Sequence, residues 1–185
     1  MALSCTGPQA EPQESSSPTQ LQKSLATLSL KCAESDFNGF LTLVIGENGL
    51  DLALKLGFSP NTVIKAGNWI APLLVSAAEN GAKQLLLFGY HGKLVKLAGG
   101  IFHTHHNLAD GRLEILTALA VAEGMPMDLI QYFSQAQSVE DAFLRLEAKN
   151  PSIAQKLWER VAFAIESRSA EYLSRHQSSP LAVGS

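Results

Sequence analysis

Between Gly89 and Arg112 the chain reads GYHGKLVKLAGGIFHTHHNLADGR, a density of polar chemistry that no simple connector needs. Lys93 and Lys96 stand three apart, so on a helix they share one face and both can meet a single anion. Arg112 adds a fork able to bind a carboxylate through two parallel hydrogen bonds, unless Asp110 or Glu114 claims it as a structural partner. His103, His105 and His106 raise a second possibility, because alternate residues of an extended segment point to the same side and zinc or cobalt accepts neutral imidazole. A complete metal site would also require a carboxylate such as Asp110 or Glu114 to converge, and no cysteine lies nearby. Histidines that hydrogen-bond within a ligand pocket are therefore expected rather than a resident metal.

The elements that would position these groups follow from the apolar pattern. Gln84 to Phe88 is a short, almost wholly apolar run closed by Gly89, as in a buried strand of a parallel sheet, and ligands of open α/β sheets sit just beyond such carboxyl ends. Gly89 and Gly92 would let backbone approach a ligand, and Gly99 and Gly100 would end a helical turn over 93–98. Upstream, FLTLVI over 40–45 predicts a strand. It is followed by the loop Gly46-Glu47-Asn48-Gly49 and a helical run over 50–56. Backbone N–H groups at that helix start can hold an anion, although glycines that merely permit a tight turn explain the same spacing. A second strand is expected over 62–65, and Asn68 is the expected cap of a helix over 69–80.

Three strands with two intervening helices make a βαβαβ parallel sheet, so the fold class expected is α/β, with right-handed crossovers. A helix over 21–32 would dock on that sheet through Leu21, Leu25, Leu28 and Cys32. After the polar stretch the pattern becomes helical and stays so, first over 109–123 with Asp110 in its opening turn. Further helices are expected from 127, from Ser138 as cap, and from Pro151. Residues 1–19, rich in Ser, Pro, Gln and Glu, read as a disordered tail. Residues 20–176 read as a single domain, and 177–185 as a frayed end.

Composition narrows the function classes. The 185 residues are 46% apolar and 17% charged with a net charge of −3, which suits a globular protein with one substantial core. A nucleic-acid partner is not expected, because such sites cluster Lys and Arg to displace counterions. No apolar run suggests a signal peptide or a membrane span, and Cys5 and Cys32 do not amount to a disulfide framework. A reduced, cytoplasmic protein is the expectation.

The order Gly89-x-x-Gly92-Lys93-Leu94-Val95-Lys96-Leu97-Ala98-x-Gly100-Ile101-Phe102-x-Thr104-His105, then Ala109-Asp110-Gly111-Arg112-x-Glu114, resembles the signature of CbiD-type cobalt-precorrin-5B C1-methyltransferases. The likeness extends over 41–119. Tyr90 and His91 depart from the family's His and following apolar residue, and His103 stands where Asn is usual. The resemblance implies methyl transfer from S-adenosylmethionine to C1 of cobalt-precorrin-5B, giving cobalt-precorrin-6A in anaerobic cobalamin biosynthesis. Cobalt would then be present only as part of the tetrapyrrole substrate, where a histidine could also touch it. It further implies Lys93, Lys96, Thr104, Asp110 and Arg112 as substrate-binding residues and His105 as the proton-handling group. Gly46, Asn48, Gly49, Asn68, Gly89 and Gly92 become candidates for the methyl-donor site, since the family has a Gly-Asn-x-Gly loop at Gly46. Members of the family also carry an amino-terminal domain with a Thr-Thr-Gly and alanine-rich motif, which has no counterpart here. The chain reads as a carboxyl-terminal half that needs an amino-terminal partner half or a homo-oligomer, or as a non-catalytic corrinoid-binding module.

Overall fold

A computed structural model describes residues 17–46, 49–176 and 181–185. The greater part of the expected amino-terminal tail and Asn48 lie outside these residues. Four strands form one parallel sheet in the order β2-β1-β3-β4: β1 Phe40–Ile45, β2 Val63–Gly67, β3 Gln84–Gly89 and β4 Ala182–Gly184. The fold class is α/β, as the alternating pattern predicts. Of the expected frayed end, 177–180 lie outside the described residues, and over 182–184 β4 stands instead: Ala182, Val183 and Gly184 pair in register with Gln84, Leu85 and Leu86. Three small residues carry no periodic signal of their own, so this strand exists only because the edge of β3 offers unpaired backbone groups.

The helices are α1 Pro18–Cys32, α2 Gly49–Lys55, α3 Ile70–Glu79, α4 His91–Ala98, α5 Arg112–Ala122, α6 Met127–Gln135, α7 Val139–Lys149 and α8 Pro151–Ser174. Local chemistry sets several starts. Ser17 accepts from the Gln20 N–H at 3.0 Å, Ser138 from Asp141 at 3.0 Å and Asn150 from Ile153 at 3.3 Å, with Pro18 and Pro151 in first turns. Ser24 of α1 donates to the Lys65 carbonyl at 2.6 Å, so α1 is tied to β2 by a side chain as well as by packing.

Alternation along the strands divides the core in two. Leu41, Leu43 and Ile45 of β1, Ile64 and Ala66 of β2, and Leu85 and Leu87 of β3 point into the main core with Leu28, Leu73, Leu97, Leu157 and Ile165 from the helices. Val44 and Val63 point the other way, where Ala53 of α2 meets them with Leu50, Phe58 and Phe88. At two candidate site residues the helix boundaries differ from expectation. Asp110 lies before α5, because Gly111 takes a left-handed conformation (φ 100°) and starts the helix at Arg112. Asn68 is not the cap of α3: Trp69 stands there without a side-chain hydrogen bond, and the Asn68 side chain is used elsewhere.

Candidate functional site

β1 is flanked by β2 on one side and β3 on the other, so the chain leaves its carboxyl end in one direction and later returns in the opposite one. That point, bounded by Gly46 after β1 and Gly89 at the end of β3, is where open parallel sheets leave a crevice. Gly89 is required there for a strand reason: a Cβ would lie 3.0 Å from the Ile45 carbonyl oxygen and 3.1 Å from the Ile45 Cβ. Gly49 likewise leaves no room, its Cβ position being 2.7 Å from Val44 Cγ1. Both glycines are explained by packing. Gly46 (φ 89°) instead faces the aliphatic end of Lys93, with Cε 4.0 Å away, so Lys93 reaches over the crevice from α4.

A strap over 101–110 closes the other side. Its backbone runs beside the segment after β2, with Ile70 N–H donating to the Phe102 carbonyl and Thr104 N–H to the Asn68 carbonyl, both at 3.0 Å. Asn68, buried to 3% exposure, is the hub of the site: its Oδ1 accepts from Lys93 Nζ at 2.6 Å and from Thr104 Oγ1 at 2.9 Å. Lys93 Nζ also donates to the Thr104 carbonyl at 3.2 Å. Lys96, only 2% exposed, donates to the Ala109 carbonyl at 2.6 Å and to the Thr104 carbonyl at 3.3 Å. The expected pairing of Lys93 and Lys96 on one face is present, but the shared acceptor is the strap's own carbonyl. Both lysines are pushed below the ordinary lysine range, chiefly by burial. Repulsion from Lys96 and Arg112 adds to the effect on Lys93, and nearby Asp110 opposes it on Lys96.

Arg112 and Asp110 form a bidentate fork, Nε to Oδ1 at 2.6 Å and Nη2 to Oδ2 at 2.7 Å. Of the alternatives open for Arg112, the structural partner is Asp110. The fork holds the Asp110 carboxyl at about 2 and raises Arg112. Nη1 of Arg112 faces Gly92, 3.6 Å from where a Cβ would stand, so Gly92 keeps space beside the guanidinium. Together these groups border an open cleft of about 640 Å³, walled by Tyr90, His91 and Gly92 at the start of α4 and by Ser138, Val139 and Glu140 at the start of α7. Lys93, Lys96 and Arg112 face Asp110 and Glu140 across it, leaving a cationic surplus on a chain of net charge −3.

The cleft therefore gathers Gly92, Lys93, Lys96, Thr104, Asp110 and Arg112 from the predicted set, with Asn68 beneath. His105 is not among its lining residues. It is 8% exposed, its Nδ1 accepts the Asn107 N–H at 3.2 Å, and its ring stacks on His106 at 4.6 Å. With Nδ1 an acceptor, the neutral ring carries its proton on Nε2. Burial first, and then His106 and Lys93, push its pKa down, favouring that neutral form. The cleft is lined instead by His106, and by Tyr90 and Glu140, which sequence reading did not single out for binding. Glu140 had no local signal, because α7 arrives from far along the chain. His103 packs edge-on against Trp69, centroids 4.2 Å apart, and is likewise shifted down by burial. Among the described residues no group of three or more His, Cys, Asp or Glu is placed to hold a metal ion. No helix of these residues is long and apolar enough to cross a membrane.

The polar strap and its lysine pins lie where comparison with known proteins is most informative. Residues 103–185 match the family model described as CbiD, C-terminal domain. This part of the chain is similar to the CbiD carboxyl-terminal domain. Over nearly the whole chain the likeness extends to curated relatives named cobalt-precorrin-5B C(1)-methyltransferase. The protein from Prochlorococcus marinus strain NATL2A is 56% identical over 183 residues, covering 99% of this chain and 48% of the relative. That from strain MIT 9313 is 57% identical over 182 residues, 98% of this chain and 48% of the relative. A Synechococcus protein (strain CC9605) is 50% identical over 182 residues, again 98% and 48%. The chain spans about half the length of the curated relatives it matches. No solved structure matches it. The CbiD match begins at His103, within the strap, whereas Lys93 and Lys96 fall in the portion shared with the full-length relatives.

Proposed function

We propose that this chain serves transfer of a methyl group from S-adenosylmethionine to C1 of cobalt-precorrin-5B, giving cobalt-precorrin-6A, and that its cleft recognises the carboxylate side arms of that tetrapyrrole in the cytoplasm. The observation that carries the reading is the convergence of Lys93 and Arg112 on one open cleft at the sheet's switch point, in a chain similar along its length to proteins named for this reaction. A substrate rich in acetate and propionate groups needs such cations. Lys93, half-buried, and the Nη1 side of Arg112 are the groups assigned to it. Lys96 is assigned a positioning role, holding the strap that carries Thr104. Asp110 orients Arg112, so that the fork presents its remaining edge rather than collapsing onto solvent.

Methyl transfer requires the sulfonium methyl and the attacking carbon in line, and holding them so contributes roughly 7–11 kcal/mol. Gly46 and Gly92 border the crevice without being filled by packing, and with Asn68 they are the residues assigned to the methyl donor's side. His105 cannot take a proton at Nδ1 while that atom holds the Asn107 N–H, and its neutral ring keeps the single proton on Nε2. Its assigned part is to shape the turn into Ala109. A second reading is a corrinoid-binding module that turns over only together with an amino-terminal half. Titration of the chain with a carboxylate-rich cobalt corrinoid, followed by absorbance, tests the binding step. Lys93→Ala and Arg112→Ala are each expected to weaken it by about 1.5–3 kcal/mol. Equal affinity in wild type and the double variant removes the proposal. Single-turnover methylation with labelled S-adenosylmethionine, with and without the amino-terminal half, separates the two readings.

A further inference from the structure

Parallel sheets are found with both faces covered, because every strand is flanked by crossover connections and buries apolar side chains on each side. Here the two faces are unequal. One carries the large core with α1, α3, α4 and α8, whereas among the described residues the other carries only the small cluster around Ala53 of α2. On that second face Phe40 of β1 and Leu86 of β3 are part-exposed and belong to neither cluster. Beyond Leu86 the next strand offers only Gly184, its register partner, so the face falls away without a side chain. Thr42 Oγ1, on the same face, is buried without a hydrogen-bond partner.

The helix that covers part of this face turns Asp51 and Lys55 outward but leaves leucines exposed along its flanks. Leu52 is 38% exposed, Leu54 42% and Leu56, just past its end, 62%. The relatives that match this chain are about twice its length, and the matched share is close to half of each. We propose that the α2 face, from Leu54 and Leu56 across Phe88 to Leu86 and Phe40, is the surface on which the amino-terminal half present in those relatives docks. This inference rests on the reading above that the chain works with such a half. A second copy of this chain is the competing occupant, and the test separates them.

The experiment joins the amino-terminal half of the Prochlorococcus marinus NATL2A relative to this chain in one polypeptide and measures amide hydrogen exchange without substrate or methyl donor. Residues 49–58 are expected to exchange at least about tenfold more slowly in the joined protein than in the chain by itself. Leu54→Glu/Leu56→Glu, at positions already exposed, should return them to the rate of the separate chain while the β1 amides stay protected. Unchanged exchange at 49–58 overturns the proposal. So does protection that appears instead around Val121 and Phe163. Protection at 49–58 that grows with concentration in the separate chain, with sedimentation as a dimer, assigns the face to a second copy and also overturns it. Because nothing in the readout depends on methyl transfer, a joined protein that shows docking but no turnover counts against the proposed reaction alone.

Discussion

Lys96→Met replaces the buried ammonium at the centre of the site with an apolar chain of similar length. The 2.6 Å bond to the Ala109 carbonyl is charge-assisted and short, whereas the 3.3 Å contact with the Thr104 carbonyl is at the limit of useful geometry. Thr104 keeps a donor in Lys93, so only the Ala109 carbonyl loses its partner. Bonds of this type contribute about 1.5–3 kcal/mol, and removing a buried charge returns part of that, so a net destabilisation of about 2 kcal/mol is expected. For a chain of this size that corresponds to a fall of roughly 4–8 °C in Tm. Chemical denaturation and thermal melting measure the loss, and hydrogen exchange should locate it in 102–110 and not in β1. The pH dependence has a definite sign. Because burial lowers the folded pKa of Lys96, the unfolded chain keeps its proton to higher pH, and wild type gains stability as pH rises through the folded value towards the ordinary lysine range. The Met variant lacks that gain, so the gap between the two widens with alkaline pH. A variant as stable as wild type, with unchanged exchange in the strap, would refute the assignment of Lys96 as the pin.

Asp110→Asn removes an exposed ion pair and should cost less than about 1 kcal/mol at neutral pH. That contribution is present above the ordinary carboxylate range and is lost as pH falls through the folded value of about 2, so acid unfolding curves of the two proteins should converge there. Gly89→Ala should destabilise by about 1–3 kcal/mol, since the new methyl meets the Ile45 backbone rather than a flexible side chain; an unchanged urea midpoint would contradict the crowding between β1 and β3. Metal analysis of the chain purified without added metal should give far less than one equivalent of zinc or cobalt. One tightly held ion, lost in His103→Ala and His105→Ala, would show that the imidazoles converge.

Much of the scaffold was legible from the residues in order. The runs 40–45 and 84–88 are apolar on both sides of the pleat, which suits only strands covered twice, and the glycines that follow mark their carboxyl ends. The helix after Gly89 follows from Lys93 and Lys96 standing three apart and from Gly99 and Gly100 as its stop. The identities of the cleft cations were legible too, since Lys93, Lys96 and Arg112 stand out in a chain of few charges. Their partners were not. Asn68 looks like a helix cap in its local context, yet its amide oxygen is taken by two donors from 25 and 36 residues away, a choice that only the closure of the strap on the segment after β2 can make. His105 is a proton-handling candidate by its intrinsic pKa, but its burial beside His106 and its bond to the Asn107 N–H are set by the fold and not by its local sequence. β4 has no pattern of its own and is created by the free edge of β3. Sequence alone thus determined which groups carry charge and which segments alternate. The tertiary structure decided which acceptor each lysine meets, because hydrogen bonds between distant segments depend on where the chain returns and not on what it is made of.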